Sequence, residues 1–197
     1  MLRLSTVYGV FPDWWLAVKH GIPRTWRAVV AQPRLLLHPA ALSRLFFSFI
    51  WEKFAPLVDE GAREVKESLI RPYAYGVILD VGAGHGHTIP YLDRTRVTKY
   101  VAVEPNTRMH GEIRTMAQKH GFGAEDVVVL GCGAEDSRTI LSTLGGQECV
   151  DTIVSVLTLC TVPEPSNVVS SLARTVLKPG GQFLWYEHIL SPLPDVR

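Results

Sequence analysis

The chain has 197 residues, a net charge of +1, and 47% hydrophobic against 20% charged residues. That balance suits one compact domain with an appendage and excludes a mostly disordered chain; scattered prolines exclude a coiled coil, and no glycine period marks a collagen. Three cysteines, Cys132, Cys149 and Cys160, make neither a disulfide framework nor a zinc-ligand spacing, and near-neutral charge gives no reason to expect nucleic acid.

The charge is unevenly spread. Residues 1–50 hold Arg3, Lys19, Arg24, Arg27, Arg34 and Arg44 against Asp13 alone, a balance of +5 that leaves −4 for the rest. The same stretch carries Trp14, Trp15, Trp26, Leu35–Leu37, Phe46, Phe47 and Phe49. Basic side chains beside aromatic clusters are what a membrane interface attracts. No run reaches the roughly 18–20 apolar residues of a spanning helix. The segment therefore reads either as a lid over a ligand cleft or as a surface resting on a membrane, with Arg24, Arg27 and Arg34, which have no nearby acids, as its main contributors.

Pro12, Pro23, Pro33 and Pro39 are expected to chop this region into short pieces. Helices follow near 40–51 and 56–70, with Pro56 at a helix start, where its missing N–H costs nothing. Residues 1–71 thus form a helical extension and 72–197 the main domain.

Beyond Pro72 strand-length apolar runs alternate with helical spacing: strand 76–81 and helix 87–92, strand 100–104 and helix 107–120, strand 127–130 and helix 134–144, strand 150–157 and helix 166–177, then strand 182–189. The strands do not alternate polar and apolar residues, as parallel strands buried on both faces should not. Met109, Ile113 and Met116 form one helical stripe that Gly121 stops, and Lys178-Pro179-Gly180-Gly181 closes the last helix. Strand–helix alternation predicts an open α/β sheet with right-handed crossovers.

The strongest local signal is Asp80-Val81-Gly82-Ala83-Gly84-His85-Gly86, directly after a strand. Glycines there let the backbone turn tightly and approach a ligand. The second strand ends in Glu104, 24 residues after Asp80, where a carboxylate can accept both ribose hydroxyls of an adenosine. The dinucleotide fingerprint wants its third glycine at the position of His87, so the spacing suits a cofactor without pyrophosphate, and Asp80 suits a cationic amino-acid tail. An NAD-dependent oxidoreductase is correspondingly disfavoured.

With Leu79–Gly86, Val103–Asn106, Gly133–Asp136, Val150–Val154 and Val176–Gly181 in this order, residues 74–190 resemble the class I S-adenosylmethionine-dependent methyltransferases. The resemblance implies a Rossmann-like α/β fold and S-adenosylmethionine as cofactor. It assigns the methionine part to Asp80, Gly82, Ala83, Gly84 and Gly86, the ribose to Glu104, the adenine to Asn106, Ala134 and Glu135, and the flanks of the methyl donor to Leu157 and Leu159. Leu157–Val162 and Trp185-Tyr186-Glu187-His188 further resemble a subgroup of small membrane-associated enzymes that methylate alkyl thiols. The expected activity is in-line methyl transfer to a small lipophilic acceptor, in the cytoplasm or peripherally on an intracellular membrane. The alternative is a cofactor-fold binding protein acting through membrane or partner contacts.

His188 is the candidate catalytic residue, as acceptor of the substrate's proton, although a structural hydrogen bond at a strand end explains it equally. His85 and His87 read as turn side chains near the cofactor rather than metal ligands, and no metal is expected. Cys160 reads as pocket lining, Trp185 as core and Tyr186 as cleft wall. Family members continue with strands six and seven, which this sequence has no room for. The fifth strand is thus expected at an edge, covered by something else or pairing with a second copy in a homodimer, unless the chain is a fragment.

Overall fold

A computed structural model describes residues 4–189, with side chains from Trp15 onward. Arg3 therefore lies outside the described residues, and the side chains of Asp13 and Trp14 are likewise not described. The described residues divide into two compact units, residues 4–57 with 189, and residues 58–188.

The first unit is helical. Helix α1 spans Leu4–Ala31 and runs through both Pro12 and Pro23, against the expected short pieces. Each interior proline removes one backbone hydrogen bond, and in a helix of 28 residues the remaining bonds carry the segment across. A 3₁₀ turn at Pro33–Leu37 then leads to α2, Pro39–Gly61. Pro56 sits inside α2 rather than at a helix start, so the two expected helices are one; the short α3 at Arg63–Leu69 follows and belongs to the second unit. Gly21 of α1 lies against α2, where a Cβ would press on the Phe46 ring, and Leu45 is buried. Arg24 is ion-paired with Glu52 at 2.6 Å and lies over the Phe49 ring, so it is not the acid-free cation the sequence suggested.

The second unit is built on five parallel strands, β1 (Gly76–Val81), β2 (Val97–Val103), β3 (Val127–Leu130), β4 (Val150–Val156) and β5 (Leu177–Tyr186), in the order β3-β2-β1-β4-β5. Three α-helices join them: α4 (His110–Lys119), α5 (Ser137–Leu144) and α6 (Pro165–Thr175). Successive strand residues point to opposite faces, which explains the unbroken apolar runs. Ile78, Tyr100, Ala102, Val154 and Leu184 meet Ile113, Ala117 and Phe122 on one side. Leu79, Val81, Val101 and Ile153 meet Ile140, Val168 and Leu172 on the other.

Several boundaries move, each for a local reason. The expected helix 87–92 is only a 3₁₀ turn at Ile89–Tyr91, because the backbone is already extended at Leu92. Helix α5 starts at Ser137, not 134, because the Asp136 side chain caps it by accepting from Thr139 N. The expected helix 107–120 begins as a 3₁₀ turn at Thr107–Met109, with Asn106 accepting from Arg108 N. Strand β5 starts five residues early: its register against β4 shifts between Val150 and Thr152, and Gly180 takes a φ of +79° there. β5 occupies one edge of the sheet, and Trp185 is 58% exposed on it, so it is not a core residue.

Candidate functional site

The carboxyl ends of β1, β2 and β4 meet where the strand order reverses, the position at which open α/β sheets bind ligands. The loop after β1 places Gly82, Gly84 and Gly86 at φ of +69°, +55° and +82°, a region that L side chains avoid. Gly82 N and Ala83 N donate to Val103 O on β2, at 2.8 and 3.2 Å, which ties the loop to the neighbouring strand. Ala83, Gly84 and Gly86 are buried.

Glu104, the residue after β2, turns its carboxylate into this loop. Its Oε2 accepts from Gly84 N at 2.9 Å and its Oε1 from Asn106 N at 2.8 Å, with the residue 7% exposed. Burial raises its pKa, opposed by those two N–H bonds. The Glu104 carbonyl is in turn held by the His110 ring at 2.8 Å.

Asp80, the penultimate residue of β1, lies directly before the loop. Its carboxylate is wholly buried, accepts from Tyr100 Oη at 2.5 Å, and is pushed up to about 6 by burial, against the hydroxyls of Tyr100 and Thr88 and the charge of Lys66. Lys66, 4% exposed, donates to Asp59 Oδ1 at 2.7 Å and to the His87 carbonyl at 3.2 Å. Tyr91 Oη also donates to Asp59 Oδ1, at 3.1 Å. The His87 ring nitrogen lies 3.8 Å from Asp59, and burial lowers its pKa, so His87 belongs to the loop's support.

On the other side stands the turn after β4. Leu157 takes a φ of +53°, and its N–H donates to Tyr186 O at 2.8 Å. Thr158 packs where a Cβ on Gly82 would lie, so this turn meets the glycine loop directly. Leu157 and Leu159 are half-buried and Cys160 is exposed. Ala134, buried, and Glu135, exposed, occupy the turn between β3 and α5. His188 is exposed beyond the end of β5.

A profile of the family described as "Methyltransferase domain" matches residues 79–185, more than half of the chain. The chain belongs to this family. A thiol S-methyltransferase of Homo sapiens, TMT1B, is 30% identical over 117 residues, covering 58% of this chain and 43% of the relative. The chain thus spans less than half the length of that relative. Among solved structures, the YcgJ protein of Bacillus subtilis superposes with a TM-score of 0.53 at 23% identity, over 70% of this chain and 54% of that one. A geranyl diphosphate methyltransferase in complex with SAM gives 0.51 at 16% identity, over 66% and 48%. Both likenesses establish the fold.

The family is one of methyltransferase domains, and the residues fit S-adenosylmethionine, the methyl donor that the sequence resemblance implies. A carboxylate offers about four acceptor positions, of which the two backbone N–H groups use two on Glu104, leaving room for a diol. The left-handed glycines provide backbone without side chains beside it.

Three parts of the site escaped sequence reasoning. Tyr100 was readable: a tyrosine inside a strand buried on both faces needs a partner, and it shares a sheet face with Asp80 through the pairing Ile78↔Tyr100. The Asp59–Lys66–Tyr91 group joins residues far apart in the sequence, with no motif to mark it. Glu187 makes three hydrogen bonds to residues about 30 positions away, which no sequence motif marks.

Proposed function

We propose that the protein methylates a small lipophilic acceptor, a thiol foremost, by direct in-line displacement. The observation that carries this reading is the shared position of Leu159. It lies in the turn abutting the glycine loop, and it also lines an apolar cavity of about 430 Å³ formed with Pro165, Val169, Ala173, Phe183 and Trp185. An acceptor in a cavity without charged lining is selected for apolar bulk. The thiol S-methyltransferase relative supports sulfur as the attacking atom.

In this reading Gly82, Ala83, Gly84 and Gly86 cradle the methionine part, with Asp80 directly before that loop, and Glu104 accepts from the ribose hydroxyls. Asn106, Ala134 and Glu135 flank the adenine, and Leu157 and Leu159 flank the methyl. When bound, the cofactor supplies an electrophilic methyl on a sulfonium. The protein's task is then alignment, which can lower the barrier by about 7–11 kcal/mol without a general base. His188 takes the acceptor's proton while the acceptor is still a thiol. The test is a pH series with 1-butanethiol. The wild-type rate rises toward pH 9 as thiolate forms, and His188→Ala is slower at pH 7, with the gap narrowing as pH rises. A flat wild-type profile with chemistry limiting counts against thiolate attack, and a His188→Ala profile superposing on the wild type removes His188.

A second reading concerns the helical unit. Trp15, Ile22, Trp26 and Val30 lie on one stripe of α1 and are all exposed, Trp15 by 67% and Trp26 by 65%. Lys19 and Arg27, also exposed, lie within and beside the stripe, and Arg34, Leu36 and Leu37 follow in the exposed 3₁₀ turn. No described helix is long and apolar enough to cross a membrane. We propose that this face rests on an anionic lipid surface, where each basic residue contributes about 1 kcal/mol. Wild-type protein is expected to sediment with anionic vesicles and Trp15→Ser/Trp26→Ser to remain in the supernatant. Equal behaviour of the two proteins removes the lipid role.

A further inference from the structure

Glu187, the residue after β5, organises the turn after β4. Its Oε1 accepts from Ser155 Oγ at 2.7 Å and from Thr158 N at 3.0 Å, and its Oε2 accepts from Leu159 N at 3.1 Å. The two amides belong to the turn that begins with Leu157 in the left-handed region. A leucine keeps that conformation only where its surroundings impose it. Here the imposing groups come from β5: the Tyr186 carbonyl on Leu157 N, and the Glu187 carboxylate on the next two amides. Thr158, fixed in this way, lies against Gly82, with its hydroxyl 3.5 Å from the Gly82 carbonyl and 3.1 Å from that of Val156.

We infer that Glu187 is a positioning residue for methyl transfer, locking the β4 turn against the glycine loop from a rigid strand end without itself touching cofactor or acceptor. The carboxylate is what the job needs, because it alone among side chains accepts on both oxygens without presenting a donor. A glutamine of the same shape satisfies one side and turns an NH₂ toward a backbone N–H on the other, leaving that amide unpaired. The inference rests on the family's cofactor chemistry and on the site assignments proposed above, and it adds the residue that holds two of those elements together.

The experiment uses the full chain in four forms, wild type, Glu187→Gln, Glu187→Asp and Ser155→Ala, with amide hydrogen exchange and calorimetric titration of S-adenosylmethionine. Glu187→Gln is expected to speed exchange at Thr158 and Leu159 about tenfold or more while Ile153 and Val154 in β4 keep their protection. It is expected to raise the cofactor Kd about tenfold, as loss of one charge-assisted bond does. Glu187→Asp, one methylene short, falls between wild type and Glu187→Gln. Ser155→Ala keeps both amide bonds and leaves the Kd and the exchange at Thr158 and Leu159 within about threefold of wild type; if Glu187→Gln folds poorly, Glu187→Asp decides the matter, since faster exchange confined to Thr158 and Leu159 supports the lock and a loss of protection throughout β4 overturns it. With 1-butanethiol, kcat of Glu187→Gln falls more than KM rises. Unchanged exchange at Thr158 and Leu159 in Glu187→Gln overturns the inference. Failure of the wild type to methylate the thiol refutes the acceptor reading instead, with the exchange and binding arms still deciding the role of Glu187.

Discussion

Replacing Asp80 by asparagine should make the protein more stable at neutral pH than at acid pH, relative to wild type. Asp80 is wholly buried directly before the glycine loop, and burial lifts its carboxyl from an ordinary 3.8 to about 6. A raised folded-state pKa means that the protonated acid is the form the fold prefers. The associated stabilisation is complete below the unfolded pKa near 4 and is lost as pH rises through about 6. A shift of about two units corresponds to about 3 kcal/mol. Asparagine keeps an oxygen for the Tyr100 hydroxyl and cannot ionise, so it escapes that penalty. Urea unfolding of both proteins at intervals from pH 4 to pH 7.5 measures the difference directly. The variant should gain about 3 kcal/mol on the wild type across that range, most of it between pH 4 and 6. A difference that stays flat with pH would mean that Asp80 does not titrate upward, and would refute the reasoning about its burial.

Two further substitutions probe the loop and its support. Gly82→Ala places a Cβ on Thr158 at a φ of +69°, and should cost about 1–3 kcal/mol in thermal or urea unfolding while weakening cofactor binding; wild-type stability and affinity would detach the loop from the β4 turn. Lys66→Met leaves the Asp59 carboxylate with Tyr91 and the His87 carbonyl without its side-chain donor. A loss of about 2–4 kcal/mol is expected, partly restored by adding Asp59→Asn, and additive effects of the two changes would deny their coupling.

The strands were legible because a sheet buried on both faces leaves apolar β-branched runs that nothing else explains, as at Val127–Leu130, where sequence and structure agree to the residue. The glycine loop and Glu104 were legible because ligand approach and strand register fix their spacing. The helical unit was misread for a different reason. The local cost of Pro12 and Pro23 predicts breaks and Pro56 reads as a helix start, whereas α1 and α2 continue through all three. Long-range polar partners, such as Glu187 with Ser155 and Arg24 with Glu52, join residues about 30 positions apart and follow only from the packed fold.

Calorimetric titration of S-adenosylmethionine into wild type and Glu104→Ala tests most directly whether the buried carboxylate under the glycine loop holds the cofactor. Wild type should bind, and Glu104→Ala should bind more weakly by about 2–4 kcal/mol with its fold intact, since two ribose hydroxyls lose a charged acceptor. Equal affinity in the two proteins would remove Glu104 from the site, and absence of binding by the wild type would contradict the cofactor assignment itself.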